Sequence, residues 1–315
     1  MAGKSILFIM DPPEKISIDR DTTFAFMLEA QARGYTLAHT RREWVWHEGG
    51  VTGARWQPAR VERRAPPEHI HLGEMQDGPI QDHVVCFVRT DPPFDMRYVE
   101  LTWMLDVVDP ASTLVINAPR GIRSASEKLY TLHFPELTPP TLISRDIARI
   151  ERFLEAQGGK IVVKPVDLMG GYGVFVVRAD DPNRRALLEV STEDGRRLCV
   201  AQGYIPQAPE GDKRVLLVDG EPLGAILRVP PEGEHRGNIH VGAATVPSPI
   251  DEHDRRICAA LAPRLKQDGI VFAGIDVIGG KLTEVNVTSP TGVQEVKNLC
   301  DIDVSAALFD WIERQ

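Results

Sequence analysis

The chain has 315 residues, more than one compact core accommodates, so the sequence predicts two or three domains. Hydrophobic residues make up 43% and charged residues 26%, as in soluble globular proteins. No apolar run approaches the roughly 20 residues that cross a membrane, and a net charge of −9 argues against a nucleic-acid-binding surface. Four scattered cysteines without a C-x-x-C pair favour free thiols. We therefore expect a cytoplasmic protein that binds neither membrane nor nucleic acid.

The first part of the chain, residues 1–120, alternates strand-like and helix-like runs, which predicts an α/β domain with a parallel sheet. Residues 43–82 are rich in Arg, Pro and Gly and poorly periodic, and we expect a hairpin and a long surface excursion there. The predicted strands are 4–10, 83–90 and 112–118, and the predicted helices are 22–34 and 98–108.

The second part, residues 121–205, is expected to begin with a helix over 124–132, because Ser-x-x-Glu/Lys resembles a helix cap. The third part, residues 206–315, contains a hairpin over 213–229 with Asp219-Gly220 at its turn, and a segment at 230–238 with the composition of a mobile loop. The other predicted elements are strands at 160–166, 174–178, 197–205, 270–278 and 281–287, and helices near 183–190 and at 251–269.

A glycine loop at 167–173 joins two of the predicted strands. Lys164 lies near the end of the first strand, and Gly170 and Gly171 follow in the loop. Backbone N–H groups of such a loop can surround phosphate oxygens while the lysine neutralises their charge. The sequence matches neither the P-loop pattern nor the dinucleotide-binding pattern. An ordinary glycine hairpin beside a surface lysine is the alternative.

Two neighbouring strands near the C-terminus carry Asp276, Glu284 and Asn286. A two-residue Gly-Gly turn would place Thr283 opposite Asp276, whereas a three-residue turn would place Glu284 there. Two opposed carboxylates repel each other unless a cation lies between them, and such oxygen ligands suit Mg²⁺. A phosphate-binding loop needs a cation to balance the phosphate charge, and a magnesium ion with few protein ligands needs phosphate oxygens, so each predicted site makes the other more plausible. A solvated strand face is the alternative.

Several other basic residues stand where an anionic ligand could use them, although each could equally be a solvated surface charge. No Ser/His/Asp or Cys/His arrangement stands out, which argues against a covalent intermediate on the protein. These basic residues are Arg89, Lys128, Arg214, Arg228 and Arg236.

Several blocks of sequence resemble one family. They include "VRTDPPFD" (88–95), "VVKPVDLMGGYGVF" (162–175), "GDKR" (211–214) and "TEVNVTSPTG" (283–292). Together they resemble bacterial glutathione synthetase, an ATP-grasp ligase, almost from end to end. The resemblance implies an ATP-grasp fold behind an N-terminal α/β domain, and ATP-dependent ligation of γ-glutamylcysteine to glycine.

The resemblance also implies roles for residues and an assembly state. Magnesium, or manganese in its place, would be held by Asp276, Glu284 and Asn286, and a homo-tetramer is expected. Catalysis is expected from Lys164, Arg214 and Arg228, nucleotide binding also from Lys128, Gly170, Gly171, Gln202, Gly203, Tyr204, Ile205 and Asp212, and substrate binding from Arg89, Asn286, Ser289, Thr291 and Glu295.

Two rival interpretations remain at this point. One is an ATP-grasp ligase that joins another peptide or amino-acid pair, and the other is a non-catalytic nucleotide-binding protein on the same fold. The sequence departs from the family pattern at Gln294, where some members carry arginine, so no role is assigned to that residue.

Overall fold

Three β-sheets follow one another along the chain, one in each predicted part. The computed structural model describes residues 4–168, 170–231 and 243–315. Within these ranges no helix combines the length and apolar character needed to cross a membrane. The domain boundaries at 120 and 205 stay a prediction.

The first sheet has a parallel centre, as predicted, because its central strands are joined through helices. Every residue of its first strand except Ser5 is buried. The following helix begins where the Asp21 side chain accepts a hydrogen bond from the N–H of Phe24. The elements are β1 (Ser5–Met10), α1 (Thr22–Ala32), β2 (Thr36–Thr40), β7 (Val85–Arg89), α2 (Met96–Leu105) and β8 (Leu114–Ile116).

Residues 43–82 belong to this sheet, so the prediction of a long surface excursion was wrong although the hairpin within it was right. The strand over residues 51–61 pairs with β2 through Leu37 and Ala59. It escaped prediction because Arg55 and Arg60 are exposed and Pro58 is half-buried, so no apolar alternation marks it. The strands are β3 (Val45–Glu48), β4 (Val51–Val61), β5 (Ile70–Leu72) and β6 (Gln76–Pro79).

The second sheet is antiparallel, with the strand order β11-β10-β12-β9. Its core packs Ile150 and Leu154 of one helix and Leu188 of another against the sheet. The glycine loop joins β10 to β11, as predicted. The elements are β9 (Thr141–Ser144), α4 (Ile147–Ala156), β10 (Lys160–Pro165), β11 (Phe175–Arg178), α5 (Arg184–Thr192) and β12 (Cys199–Gly203).

The predicted helix over 124–132 is absent. A helix α3 ends at Ser124 (Pro119–Ser124), and a short 3-10 turn follows at Tyr130–His133. The backbone carbonyl of Glu127 accepts a hydrogen bond from the N–H of Val285, a residue of the third sheet, instead of from a helical N–H. The helix therefore stops before Lys128, which lies in an irregular segment.

The third sheet is antiparallel, with the order β15-β14-β13-β16-β17. The predicted Asp219-Gly220 turn is confirmed, since both residues have the left-handed backbone that such a turn requires. From residue 232 onward the predicted mobile loop, with Arg236, lies outside the described residues. The elements are β13 (Asp212–Val218), β14 (Glu221–Val229), β15 (Ala244–Pro247), α6 (Glu252–Gln267), β16 (Phe272–Ile278), β17 (Lys281–Asn286), α7 (Val293–Cys300) and α8 (Val304–Ile312).

Asn117 joins the first sheet to the third. Its side-chain amide donates to the carbonyls of Phe272 at 2.7 Å and Val287 at 2.8 Å. Its side-chain oxygen accepts from the N–H groups of Val271 at 2.9 Å and Phe272 at 2.8 Å. These buried bonds fix the end of the parallel sheet beside β16 and β17, where the candidate site residues converge.

Candidate active site

An open cleft lies between the second and third sheets. Its apolar wall includes Val162, Val176 and Ile278, and charged and polar residues line much of the remainder. The cleft collects most of the residues that the sequence singles out for nucleotide and metal: Lys128, Lys164, Gly170, Gly171, Gln202, Gly203, Tyr204, Ile205, Asp212, Asp276 and Glu284.

Asp276 lies directly opposite Glu284 across β16 and β17. The turn between the strands has only two residues, since Ile278 pairs with Lys281. A β-bulge at Thr283 supplies the extra residue that shifts the register, and the Thr283 hydroxyl donates to the carbonyl of Asp276 at 3.1 Å. The carboxylate pairing is thus confirmed, but the three-residue turn expected to produce it was wrong.

The carboxylate of Asp276 is buried between two buried arginines. Arg214 donates to it through Nε at 2.5 Å and Nη2 at 3.0 Å, and Nη2 of Arg228 lies 2.9 Å from its Oδ1. Burial acts to raise the pKa of Asp276, but the two guanidinium groups outweigh it and hold the pKa well below its usual range. The group is therefore an anion at neutral pH.

Asp212 shares Arg228 with Asp276. Its Oδ2 accepts from Arg228 Nη2 at 2.7 Å, whereas its buried Oδ1 has no partner among the described residues. Burial raises the pKa of Asp212 against the opposing effect of Arg228. An unpaired carboxylate oxygen on the cleft wall is a free ligand position.

Two lysines lie under the glycine loop. Lys128 is buried, its Nζ lies 3.3 Å from Glu284 Oε1, and it also donates to the carbonyl of Leu168 at the start of the loop. Lys164 lines the cleft without forming a salt bridge to any described residue, and burial lowers its pKa. Lys164 is therefore a cation available to a ligand.

The far end of the cleft is shaped by the segment after β12. The Gln202 side chain donates to the hydroxyl of Thr141 at 3.1 Å, and the N–H of Gly203 donates to Pro140. Lys160 places its Nζ 3.3 Å from the ring centroid of Tyr204, a cation–π contact that fixes the ring. Sequence reasoning missed Lys160, because nothing in a strand's first residue signals such a contact.

Arg89 lies outside the main cleft, buried between the rings of Phe26 and Phe272 at 5.6 and 5.7 Å from their centroids. It donates to Thr23 Oγ1 and to the carbonyl of Pro290, both at 3.1 Å. Burial lowers the pKa of Arg89, and the negative charges of Asp21 and Asp91 oppose that effect. An anionic ligand beside this buried cation would stabilise its charge further.

The remaining predicted substrate residues surround the turn after β17. Ser289 donates to the carbonyl of Arg89 at 3.4 Å, and Thr291 is exposed. Burial raises the pKa of Glu295, whose buried Oε2 has no partner among the described residues. The side-chain nitrogen of Asn286 lies 3.4 Å from Asp276 Oδ2.

Sequence reasoning missed Glu127, a residue near this turn. Its Oε1 accepts from Thr288 Oγ1 at 2.7 Å, and burial, followed by the neighbouring Glu284, raises its pKa. The helix predicted over 124–132 concealed this contact. Gln294, to which the sequence assigned no role, is buried and donates to the carbonyls of Ile18 at 3.0 Å and Asp21 at 2.7 Å.

Three oxygen-bearing side chains on β16 and β17 could hold a magnesium ion: Asp276, Glu284 and Asn286. The described residues contain no group of three or more His, Cys, Asp and Glu suited to a metal. Two opposed carboxylates with an amide would nevertheless leave coordination positions for waters and phosphate oxygens, which Mg²⁺ prefers. A cleft with these ligands, two lysines and a glycine loop defines an ATP-dependent ligase of the ATP-grasp class.

Comparison with known proteins identifies the family. The N-terminal domain of prokaryotic glutathione synthetase matches residues 5–123, and the ATP-grasp domain of the same family matches residues 127–301. The chain belongs to the prokaryotic glutathione synthetase family. Enzymes of this family use ATP with Mg²⁺. The family and the ATP-grasp fold predicted from the sequence are confirmed.

Curated relatives extend over almost the whole chain. Glutathione synthetase of Shewanella oneidensis is 42% identical over 97% of this chain and 96% of its own length. That of Yersinia pestis is 43% identical over 98% and 96%, and that of Escherichia coli O127:H6 is 41% identical over 97% and 96%.

Solved structures share the fold. D-cycloserine synthetase DcsG superimposes with a TM-score of 0.64 at 19% identity, covering 98% of this chain and 99% of its own. The ATP-grasp ligase PsnB, complexed with minimal precursor, gives 0.64 at 16% identity with 100% and 99% covered. At these identities the likeness shows the fold alone.

Proposed function

We propose that the protein joins the cysteinyl carboxyl group of γ-glutamylcysteine to the amine of glycine, giving glutathione, ADP and phosphate. The relatives named glutathione synthetase support this substrate pair. The observation that carries it is the meeting of a cleft lined by Lys128 and Lys164 with the buried Arg89 beside the turn after β17.

The reaction divides into two steps. A carboxylate is a poor acyl donor, so its oxygen first attacks the γ-phosphorus of ATP and ADP leaves. The glycine amine then attacks the acyl carbon, phosphate leaves, and the amine proton passes to solvent or phosphate. No protein nucleophile is needed, in accordance with the absence of such an arrangement from the sequence.

The phosphate end is assigned to cations that surround Asp276. Arg214 and Arg228 stabilise the charge that spreads over the transferring phosphoryl group, and Lys164 supports it from the second sheet. Asp276, Glu284 and Asn286 would hold magnesium, which when bound disperses negative charge on the phosphates. Lys128, whose Nζ lies 3.3 Å from Glu284 Oε1, would contribute a further cation for the phosphates.

The nucleotide end is assigned to the apolar wall and the segment 202–205. Val162, Val176 and Ile278 supply a flat apolar surface suited to adenine. The unpartnered Oδ1 of Asp212 is an acceptor for a donor of the nucleotide or for a metal-bound water. Gln202, Gly203, Tyr204 and Ile205 border the purine, and Gly170 and Gly171 direct the loop toward the phosphates.

The substrate end is assigned to the buried Arg89 and the turn after β17. Arg89 would bind a carboxylate of γ-glutamylcysteine through its buried guanidinium group beside this turn. The unpartnered Glu295 Oε2 would accept from the substrate ammonium group. Ser289 and Thr291 supply hydroxyls, and Asn286 lies between metal and substrate.

An isotope experiment tests the acyl-phosphate route. γ-Glutamylcysteine labelled with ¹⁸O in its cysteinyl carboxylate is turned over with ATP, Mg²⁺ and glycine, and the phosphate is analysed by mass spectrometry. We expect one ¹⁸O atom in each phosphate, because that oxygen attacks the γ-phosphorus. Unlabelled phosphate would contradict the route.

We further propose that the protein is cytoplasmic and forms a homo-tetramer. Light scattering should then give four times the 35.0 kDa chain mass.

A further inference from the structure

We propose that Glu127 is a positioning residue for the substrate turn, acting through its hydrogen bond to Thr288. The inference rests on the proposed role of Ser289 in binding γ-glutamylcysteine. Glu127 does not line the cleft, and the reaction described above gives it no task.

The backbone of Glu127 is fixed against an edge strand. β17 is the last strand of its sheet, so one of its sides has no neighbouring strand. The segment before β9 covers that side, since the N–H of Val285 donates to Glu127 at 3.0 Å and the N–H of Leu282 donates to Leu137 at 2.9 Å. These bonds fix the backbone of Glu127 opposite Val285, on the strand that carries Glu284 and Asn286.

The side chain of Glu127 continues this contact to the turn. Its Oε1 accepts from the buried Thr288 hydroxyl at 2.7 Å. The next residue, Ser289, donates to the carbonyl of Arg89, and Arg89 in turn donates to the carbonyl of Pro290. Two hydrogen bonds and the peptide link between Thr288 and Ser289 therefore connect Glu127 to the proposed carboxylate-binding arginine.

The carboxyl group of Glu127 lies where its charged form is disfavoured. It forms no salt bridge with a described residue, and burial, followed by the like-charged Glu284, raises its pKa. A polar side chain buried at such a position is costly for stability unless it is hydrogen-bonded. The hydrogen bond from Thr288 meets that need, and it fixes the orientation of the Thr288 hydroxyl.

The adjacent residue connects the same strand to the cleft. Lys128 contacts Glu284 on the cleft side, whereas Glu127 contacts Val285 and Thr288 on the outer side. Loss of the Glu127 side chain would therefore displace the substrate turn more than it displaces Lys128. The hydrogen bond from the Val285 N–H to the backbone carbonyl at position 127 would still hold this segment in place.

The test compares Michaelis constants and thermal stability for four single variants and one double variant. Glu127→Ala and Thr288→Val each remove one partner of the hydrogen bond and are also combined, Glu127→Gln keeps an acceptor, and Glu136→Ala removes an exposed carboxylate of the same segment as a control. For Glu127→Ala and Thr288→Val we expect KM for γ-glutamylcysteine to rise about tenfold, as for a lost buried hydrogen bond. KM for ATP and Tm should stay near the values of Glu136→Ala. Glu127→Gln should have a KM for γ-glutamylcysteine close to that of the wild type. The double variant should have a KM for γ-glutamylcysteine no higher than either single variant.

Unchanged KM for γ-glutamylcysteine in Thr288→Val would overturn the inference, and so would equal rises for all substrates together with a falling Tm. Thr288→Val decides the matter if Glu127→Ala does not fold. A Ser289→Ala variant distinguishes the substrate role of the turn from the positioning role of Glu127. If Ser289→Ala also leaves KM unchanged, the proposed substrate role of the turn fails; if it alone raises KM, only the role of Glu127 fails.

Discussion

Asp276 faces Glu284 across two strands, and each carboxylate also lies beside a cation of the protein. Arg214 and Arg228 hold Asp276, and Lys128 lies 3.3 Å from Glu284. The proposed function assigns these same cations to the triphosphate. On that proposal nucleotide and metal would exchange partners with the protein, the phosphates taking the cations and the metal taking the carboxylates.

This exchange predicts that metal and nucleotide bind cooperatively. Without nucleotide, Mn²⁺ observed by electron paramagnetic resonance should bind weakly, because two arginines and a lysine repel it. A non-hydrolysable ATP analogue should increase its affinity at least tenfold. Equal Mn²⁺ affinity with and without the analogue would contradict the exchange.

Removing the lysine separates its two roles. Lys128→Met should increase Mn²⁺ affinity several-fold in the absence of nucleotide, because Glu284 loses its competing cation, and should weaken nucleotide binding. Lys266→Met is the matched control, since its partner Asp219 lies at the opposite end of β13 from the cleft residue Asp212. A Lys128→Met protein with weaker metal binding would contradict this account.

The two opposed carboxylates should differ in their effect on stability. Asp276→Asn leaves the buried Arg214 without its anion and Arg228 with Asp212 alone, and should destabilise the fold by ~3–5 kcal/mol in urea unfolding. Glu284 is half-buried with one cation, so Glu284→Gln should fold normally. Equal unfolding midpoints for the two variants would show that the arginine pairing contributes little.

Glu284→Gln should nevertheless abolish turnover. Loss of the metal-binding charge at the phosphates should lower kcat by at least ~10²–10³-fold, the range for a lost electrostatic contact to a transition state. The measurement is kcat with saturating substrates, with Glu136→Gln as the exposed control. An active Glu284→Gln enzyme would refute the metal-binding assignment.

Two buried histidines make the N-terminal domain sensitive to acid. Burial lowers the pKa of His39 and of His83 to about 4, against an ordinary value of 6.5. Their neutral forms are favoured in the fold, so their contribution is complete above pH 6.5 and is lost as the pH falls toward 4. His83→Gln should reduce the slope of stability against pH in this window relative to the wild type, whereas the exposed His47→Gln should not. Identical slopes would contradict the prediction.

Much of the site followed from the sequence because its signals are local. Asp219-Gly220 predicted its hairpin, and strand alternation placed Glu284 and Asn286 on one face. The bulge at Thr283 could not be predicted, since it depends on how β17 is anchored at both ends. The irregular segment at Glu127 was also missed, because its backbone partner is Val285, more than 150 residues away. Long-range hydrogen bonds override a local helix cap there.

Phosphate release from ATP and Mg²⁺ tests the proposed reaction most directly. Release is measured with γ-glutamylcysteine and glycine together, with each alone, and with unrelated dipeptides and amines. We predict that rapid release requires both γ-glutamylcysteine and glycine and yields one glutathione for each phosphate. Release at an equal rate without γ-glutamylcysteine, or with unrelated acceptors, would contradict the account.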